Sequence, residues 1–177
     1  MPNKKPIRIA VTGPESTGKT TLALALSQEL NAVYVPEFAR EYLTDLHREY
    51  TIQDLTKIAE GQNKLIEASL KNDCDYVVVD TDMTVMKIWS EFKYQTCDES
   101  ILDAYQKQEF DLYILCGTSI EWEYDELREH PHLRDYFYMV YKNELKLQKR
   151  NFLEVDGSVK ERVQMVLEKI SSQNLHN

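Results

Sequence analysis

The chain has 177 residues, of which 42% are hydrophobic and 29% are charged, and its formal net charge is −9. This length suits one domain with a sizeable core, and the composition excludes disordered and fibrous classes. The acidic balance, with a pI of about 5.0, argues against nucleic acid or an anionic membrane as the main partner.

Short apolar runs alternate with helical stretches along the chain. Strands are predicted at 6–12, 32–35, 75–82, 111–117 and 151–155, and helices at 19–30, 37–46, 51–71, 84–94, 99–109, 135–150 and 158–170. Thr51 and Asp54 have the spacing of a capping box at the start of the third helix. The alternation indicates an α/β domain with a five-stranded parallel sheet and helices on both faces. We expect one domain over residues 1–177, with a frayed tail over about 171–177.

The cysteines and the N-terminal segment bear on the compartment. Cys74, Cys97 and Cys116 are widely spaced and form no C-x-x-C pair, which favours reduced thiols over a zinc site or a disulfide framework. The first apolar run leads directly into a glycine loop, so it is read as a strand and not as a signal peptide. We expect a cytoplasmic protein, and the sequence leaves its oligomeric state open.

The clearest motif is GPESTGKTT, residues 13–21, which fits G-x-x-x-x-G-K-[ST] between a predicted strand and a predicted helix. Its glycines let backbone N–H groups surround a phosphate, and the helix N-terminus adds a positive dipole end. In such a loop Lys19 reaches the β- and γ-phosphates of ATP and Thr20 binds Mg²⁺. The predicted nucleotide-binding residues are Gly13, Glu15, Ser16, Thr17, Gly18, Lys19, Thr20 and Thr21.

Carboxylates follow two other predicted strands. The run VVVD ends at Asp80, with Asp82 two residues later, and this pattern is typical of a Walker-B carboxylate aimed at Mg²⁺. Either aspartate could serve, and Asp82 could alternatively cap the next helix. Because the carboxyl ends of parallel strands share one edge of the sheet, these groups should meet the loop.

Glu37 follows the second strand, where a carboxylate can accept or orient the proton of an acceptor hydroxyl. Arg40 lies one helical turn later on the same face, and Tyr42 is a further candidate for substrate binding. The alternative for Glu37 and Arg40 is an ordinary surface pair. Glu37, Asp82, Lys19 and Arg128 are the predicted catalytic residues.

The segment 119–136 is highly charged and is predicted to be a small helical lid. Arg128 and Arg134 could swing over a transferring phosphoryl group, where cations stabilise the transition state. The alternative is a solvated helical hairpin. The sequence also leaves open whether Trp89 and Trp122 are core or ligand-stacking residues, and whether 156–158 lies near adenine or only caps the last helix.

The motifs narrow the class of protein. A GTPase switch would carry an Asn-Lys-x-Asp guanine reader, which this sequence lacks, and a motor would usually be longer. Two hypotheses remain: an ATP- and Mg²⁺-dependent small-molecule kinase, or an ATP-binding regulatory P-loop ATPase without a small acceptor. ADP release that is stimulated by a nucleoside would favour the kinase, and its absence would favour the ATPase.

The motifs GPESTGKTTLALAL, VPEFAREYL, Gly61-Gln62, VVVDTD and EWEYDELR together resemble the NadR-type ribosylnicotinamide kinase domain and its AAA-28-like relatives. The resemblance runs in order from residue 7 to about 155. It implies a nucleoside-monophosphate-kinase type of core with a small lid, and phosphorylation of the 5′-hydroxyl of nicotinamide riboside by ATP.

This sequence departs from that family pattern in two ways. Bifunctional members carry an H-x-G-H motif before the kinase domain, which is absent here, so no adenylyltransferase activity is expected. Members also place an aromatic residue, stacked on the nicotinamide ring, where this chain has Pro36. Tyr34, Phe38 and Tyr42 are the neighbouring aromatic candidates for that contact.

Overall fold

The computed structural model describes residues 5–173 and residue 175. Its strands are β1 Ile7–Thr12, β2 Val33–Val35, β3 Tyr76–Asp80, β4 Leu112–Cys116 and β5 Phe152–Val155. Its helices are α1 Lys19–Glu29, α2 Phe38–Thr44, α3 Ile52–Ser69, α4 Met83–Tyr94, α5 Glu99–Lys107, α6 Arg134–Leu147 and α7 Val159–Ser172. The predicted order of strands and helices is confirmed.

The five strands pair in the order β2-β3-β1-β4-β5, and every neighbouring pair is parallel. Strand β1 is central, with Val11 facing Asp80 of β3 and Ile114 of β4. The carboxyl ends of all five strands therefore lie on one edge, where ligands of open α/β sheets bind.

Helices cover both faces of the sheet, as predicted. On one face, Ile9 and Val11 of β1 pack with Leu22 of α1 and Val166 of α7. On the other face, Ala10 packs with α4 and α6 in a separate buried cluster. Alternate residues of β1 thus point into two cores, which is why its residues 9–11 are all apolar.

Two predictions at the lid and the tail need correction. Residues 117–133, all of which the structure describes, form turns and irregular chain instead of a helical lid. Helix α7 continues to Ser172, and Leu175 packs against the core and donates its N–H to Ile170. The remaining tail residues of that prediction, 174, 176 and 177, lie outside the described residues.

Within the described chain, no helix combines the length and the apolar character needed to cross a membrane.

Candidate active site

The phosphate loop between β1 and α1 wraps tightly at the edge of the sheet. Gly13 has φ +133°, and a Cβ there would lie 3.1 Å from the carbonyl oxygen of Cys116. A side chain at this position would therefore be strained by its φ and would press on the backbone of β4. Ser16 and Gly18 also have positive φ, at 54° and 74°, so the loop closes into a concave nest of backbone amides.

The Lys19 ammonium lies inside this loop. Its Nζ donates to the carbonyl oxygen of Pro14 at 2.8 Å, and the Thr17 hydroxyl donates to the same oxygen at 2.8 Å. Lys19 is also the first residue of α1, so its backbone lies at a helix N-terminus. The ammonium and the helix end together make this corner of the cleft attractive to anions.

Thr20 and Asp80 meet beside the loop. The Thr20 hydroxyl donates to Asp80 Oδ2 at 2.6 Å, while the other carboxylate oxygen, Oδ1, is buried without a partner among the described residues. Burial raises the pKa of Asp80, although Thr20 and nearby Lys19 oppose the shift. A hydroxyl next to a carboxylate oxygen that lacks a partner is an oxygen donor set that suits Mg²⁺.

Asp82 has a different task from the predicted one. It is fully buried at the N-cap of α4, where it accepts hydrogen bonds from the hydroxyl of Thr12 at 2.8 Å and from the backbone N–H of Thr84 at 3.2 Å. Gln108 Nε2 donates to it at 3.0 Å. The helix-capping alternative therefore describes Asp82, and its predicted catalytic, substrate-binding and metal-binding roles are not retained. Asp80 is the carboxylate next to Thr20.

Glu37 lies between β2 and α2, at the N-cap position of α2, and lines the same cleft as Lys19. Burial raises the pKa of its carboxyl, and the positive charge of Lys19 partly opposes that shift. A carboxylate with a raised pKa is well suited to exchange or share a proton with a hydroxyl group.

The position of Glu37 is set by Gly61 and Gln62 on α3. Gln62 Oε1 accepts the N–H of Phe38 at 2.8 Å, and its Nε2 donates to the carbonyl of Pro36 at 3.2 Å. One buried amide thus holds the backbone on both sides of Glu37. Gly61 makes room for the Phe38 ring, since a Cβ there would lie 2.2 Å from Phe38 Cε1.

Arg40 and Tyr42 differ in their relation to the cleft. Arg40 lines it, and its NH1 forms an ion pair with Asp125 at 2.9 Å, so it contacts the lid segment (residues 119–133). Tyr42 donates its hydroxyl to Asp54 Oδ1 at 2.7 Å at the start of α3, and it lines a separate surface pocket. The structure therefore places Tyr42, a predicted substrate-binding residue, outside the cleft that contains Lys19 and Glu37.

The lid segment rests on the phosphate loop through two loop side chains. Glu15 Oε2 accepts the N–H groups of Glu129 and His130 at 3.1 and 3.2 Å, and Ser16 Oγ accepts the N–H of Glu123 at 2.9 Å. Arg128 lines the cleft, and its NH1 donates to the carbonyl of Glu123 at 2.6 Å. The lid is thus docked, with the Arg128 guanidinium beside the loop.

Arg134 supports the loop from outside the cleft. Its NH1 donates to the carbonyl oxygens of Ser16 and Ile120, at 3.1 and 2.6 Å. Its guanidinium lies 5.9 Å from the centre of the Trp122 ring. The expected swing of Arg134 over a phosphoryl group is therefore replaced by a bracing role, and Trp122 lies against Arg134.

The cleft has a volume of about 280 Å³ and extends from the phosphate loop to an aromatic wall. Trp89 lies on this wall, and its Nε1 donates to the hydroxyl of Tyr50 at 2.8 Å, so it both packs and faces the cleft. Pro36 lies on a second pocket. The wall is formed by Trp89, Phe92, Phe137 and Tyr141 of α4 and α6.

Comparison with protein families identifies the fold and its relatives. The AAA_28 family, an AAA domain, matches residues 8–162. The chain belongs to this family. The trifunctional NAD biosynthesis/regulator protein NadR of Escherichia coli (strain K12) is 28% identical over 130 residues, which are 68% of this chain and 30% of that protein. This AAA_28 chain thus spans less than a third of that curated relative, and the resemblance inferred from the motifs is confirmed.

Solved structures share the fold of this AAA_28 domain. A NadR protein in complex with NR has a TM-score of 0.79 at 20% identity, over 94% of this chain and 50% of that one. Deoxyadenosine kinase from M. mycoides has a TM-score of 0.68 at 17% identity, over 94% of this chain and 100% of that one. The predicted P-loop fold is therefore confirmed.

Sequence reasoning missed several groups at the site of this AAA_28 domain. The aromatic wall comes from α4 and α6, where aromatic residues at helical spacing resemble ordinary core positions. Gln62 was noticed as part of a motif, but its role in holding Glu37 required the structure. The capping-box spacing correctly predicted the start of α3, and Ser158 caps α7 through a capping box with Glu161.

Proposed function

We propose that this protein is an ATP- and Mg²⁺-dependent kinase that phosphorylates the 5′-hydroxyl of a nucleoside, with nicotinamide riboside as the first candidate. One observation carries the proposal: a single cleft joins a phosphate loop, the half-buried carboxylate of Glu37 and an aromatic wall. The curated NadR relative and the NadR structure in complex with NR support the nucleoside.

The phosphate loop would hold the donor. The backbone amides of residues 13–21 and the Lys19 ammonium suit the β- and γ-phosphates of ATP. Mg²⁺ would be held by the Thr20 hydroxyl and by Asp80, whose Oδ1 has no other partner among the described residues. When bound, the ion would neutralise phosphate charge, and phosphates and water would complete its coordination.

The acceptor would lie between Glu37 and the aromatic wall. Glu37 orients the attacking hydroxyl and accepts its proton as the new O–P bond forms, while the bond from the γ-phosphorus to the bridging oxygen breaks and ADP leaves. Stacking on Trp89 and the neighbouring rings suits a flat base and excludes water from the reacting atoms. Arg128 of the docked lid would stabilise the charge of the transferring phosphoryl group.

The alternative of a regulatory ATPase rested on Pro36. Pro36 lies on a second pocket, whereas the cleft has aromatic rings from α4 and α6. An acceptor can therefore stack without an aromatic residue at position 36. We accordingly prefer the kinase, acting in the cytoplasm on a small molecule.

A nucleoside panel tests the proposal by the rate of ADP release. Nicotinamide riboside and other nucleosides should stimulate release in the presence of Mg²⁺, and Lys19→Ala should abolish it by removing the phosphate-binding ammonium. Thr21→Ser is the matched control in the same loop and should retain activity. A folded protein that binds ATP but releases no ADP with any nucleoside would overturn the proposal.

A further inference from the structure

Arg162 of α7 is an arginine in a position that packing alone would give to an apolar residue. It is fully buried, and it precedes the buried residues Val166 and Ile170 at helical spacing on the same face of α7. Long charged side chains are rarely fully buried unless they are paired. The contacts of this guanidinium therefore indicate what it does.

The guanidinium joins three groups on the nucleotide side of the sheet. NH1 donates to the carbonyl oxygen of Thr17 at 2.6 Å, Nε donates to the carbonyl of Gly157 at 2.9 Å, and NH2 donates to Asp156 Oδ1 at 3.2 Å. Asp156 also accepts from the hydroxyl of Ser119, at the start of the lid segment. One side chain thus links the phosphate loop, the β5–α7 loop and, through Asp156, the lid.

Peptide geometry gives the contact with Thr17 a consequence for phosphate binding. The Thr17–Gly18 bond is trans, because the described chain has no cis peptide. In a trans peptide unit the C=O and the following N–H point in opposite directions. Holding the Thr17 carbonyl toward α7 therefore directs the Gly18 N–H away from α7 and into the phosphate loop.

We propose that Arg162 is a positioning residue that aims the Gly18 amide at the nucleotide phosphates by holding the Thr17 carbonyl. The inference rests on the nucleotide-binding part of the proposed function and is independent of the acceptor. A guanidinium suits this task because its planar fork donates in several fixed directions at once. An apolar side chain of similar length could fill the volume but would leave the Thr17 and Gly157 carbonyls without these donors.

Calorimetric titration of the full chain with ADP tests the proposal. Arg162→Met should raise the Kd of ADP by about 10- to 100-fold, because charged hydrogen bonds to the loop are lost. Arg162→Lys restores one donor and should give an intermediate Kd. The KM for the nucleoside should stay within about twofold of wild type, since the acceptor side has no contact with Arg162.

Val166→Ala is the matched control, because it lies one turn along the same buried face and destabilises α7 without touching the loop. It should lower the Tm and leave the Kd of ADP unchanged. Folded Arg162→Met with a wild-type Kd, or Val166→Ala with an equal loss of affinity, would overturn the inference. If Arg162→Met does not fold, an Arg162→Lys variant with wild-type affinity would overturn it as well. A wild-type protein that binds ADP but phosphorylates no nucleoside refutes the proposed kinase and leaves this inference standing.

Discussion

Tyr50→Phe should loosen the lid, because it removes a hydroxyl that joins the lid segment to Trp89. The Tyr50 hydroxyl donates to Glu129 Oε2 of the lid segment at 2.7 Å and accepts from Trp89 Nε1 at 2.8 Å. A hydrogen bond to a charged group contributes about 1.5–3 kcal/mol. The lower value applies because Glu129 is partly exposed and keeps its ion pair with Lys93 at 2.9 Å. About 1.5 kcal/mol corresponds to a roughly tenfold larger open population.

Amide hydrogen exchange measures this opening directly. In the Tyr50→Phe variant, lid amides such as those of Glu129 and His130 should exchange about tenfold faster, and the nucleoside KM should rise with them. Tyr94→Phe is the control, because its hydroxyl donates to the Tyr50 carbonyl at 2.9 Å, in the same aromatic cluster, and does not reach the lid. Unchanged amide exchange in Tyr50→Phe, or equal acceleration in Tyr94→Phe, would refute the role of the Tyr50 hydroxyl in holding the lid.

Three further predictions concern the aspartates that follow β3, the proposed base Glu37, and Gly61 of α3. Burial raises the pKa of Asp80, so the folded protein binds this proton more readily than the unfolded chain, and the free energy of unfolding falls as pH rises. Asp80→Asn should therefore raise the Tm at neutral pH while abolishing Mg²⁺-dependent turnover. Asp82→Asn should lower the free energy of unfolding in urea by about 1–3 kcal/mol and leave the Kd of ADP unchanged. Burial also raises the pKa of Glu37, so the acidic limb of the plot of kcat/KM against pH should lie above the ordinary carboxyl range. Glu37→Gln should remove that limb and slow turnover by about 10²–10⁴-fold. An acidic limb that survives the substitution would belong to another group. Gly61→Ala should cost about 1–3 kcal/mol by overpacking against Phe38, and an unchanged unfolding midpoint would contradict the close approach of that ring.

The backbone plan and the phosphate loop were predictable from sequence because their signals are local. Apolar runs that stop at glycine, proline or aspartate predicted the strands, and the spacing from Gly13 to Thr20 predicted the loop. Thr51 with Asp54 predicted a helix start for the same reason: a capping box involves residues only three apart. Each of these features depends on neighbours in the chain and not on distant partners.

The side-chain roles depend on contacts between distant segments, and there the sequence was ambiguous. Asp80 and Asp82 both follow the same apolar run, and only the position of Thr20 beside one and Thr12 beside the other distinguishes them. The sequence left the direction of the Tyr42 side chain open, since a seven-residue helix gives little periodicity to orient it. The lid segment is charged enough for a surface helix, but Pro131 interrupts it. The hydrogen bond from the Glu129 backbone N–H to Glu15 of the phosphate loop also favours turns.

The pairing of the central strand has a consequence for how the protein is made. Strand β1 carries the phosphate loop near the start of the chain, but its hydrogen-bonding partners lie far along it, with Ile9 facing Val78 on one side and Leu112 on the other. Pairing of such distant segments requires the closure of long loops, which slows folding. The phosphate loop is synthesised before β3 and β4, so its strand is enclosed on both sides only once β4 has followed. A nucleotide can therefore meet a fully enclosed phosphate loop only after β4 has been synthesised.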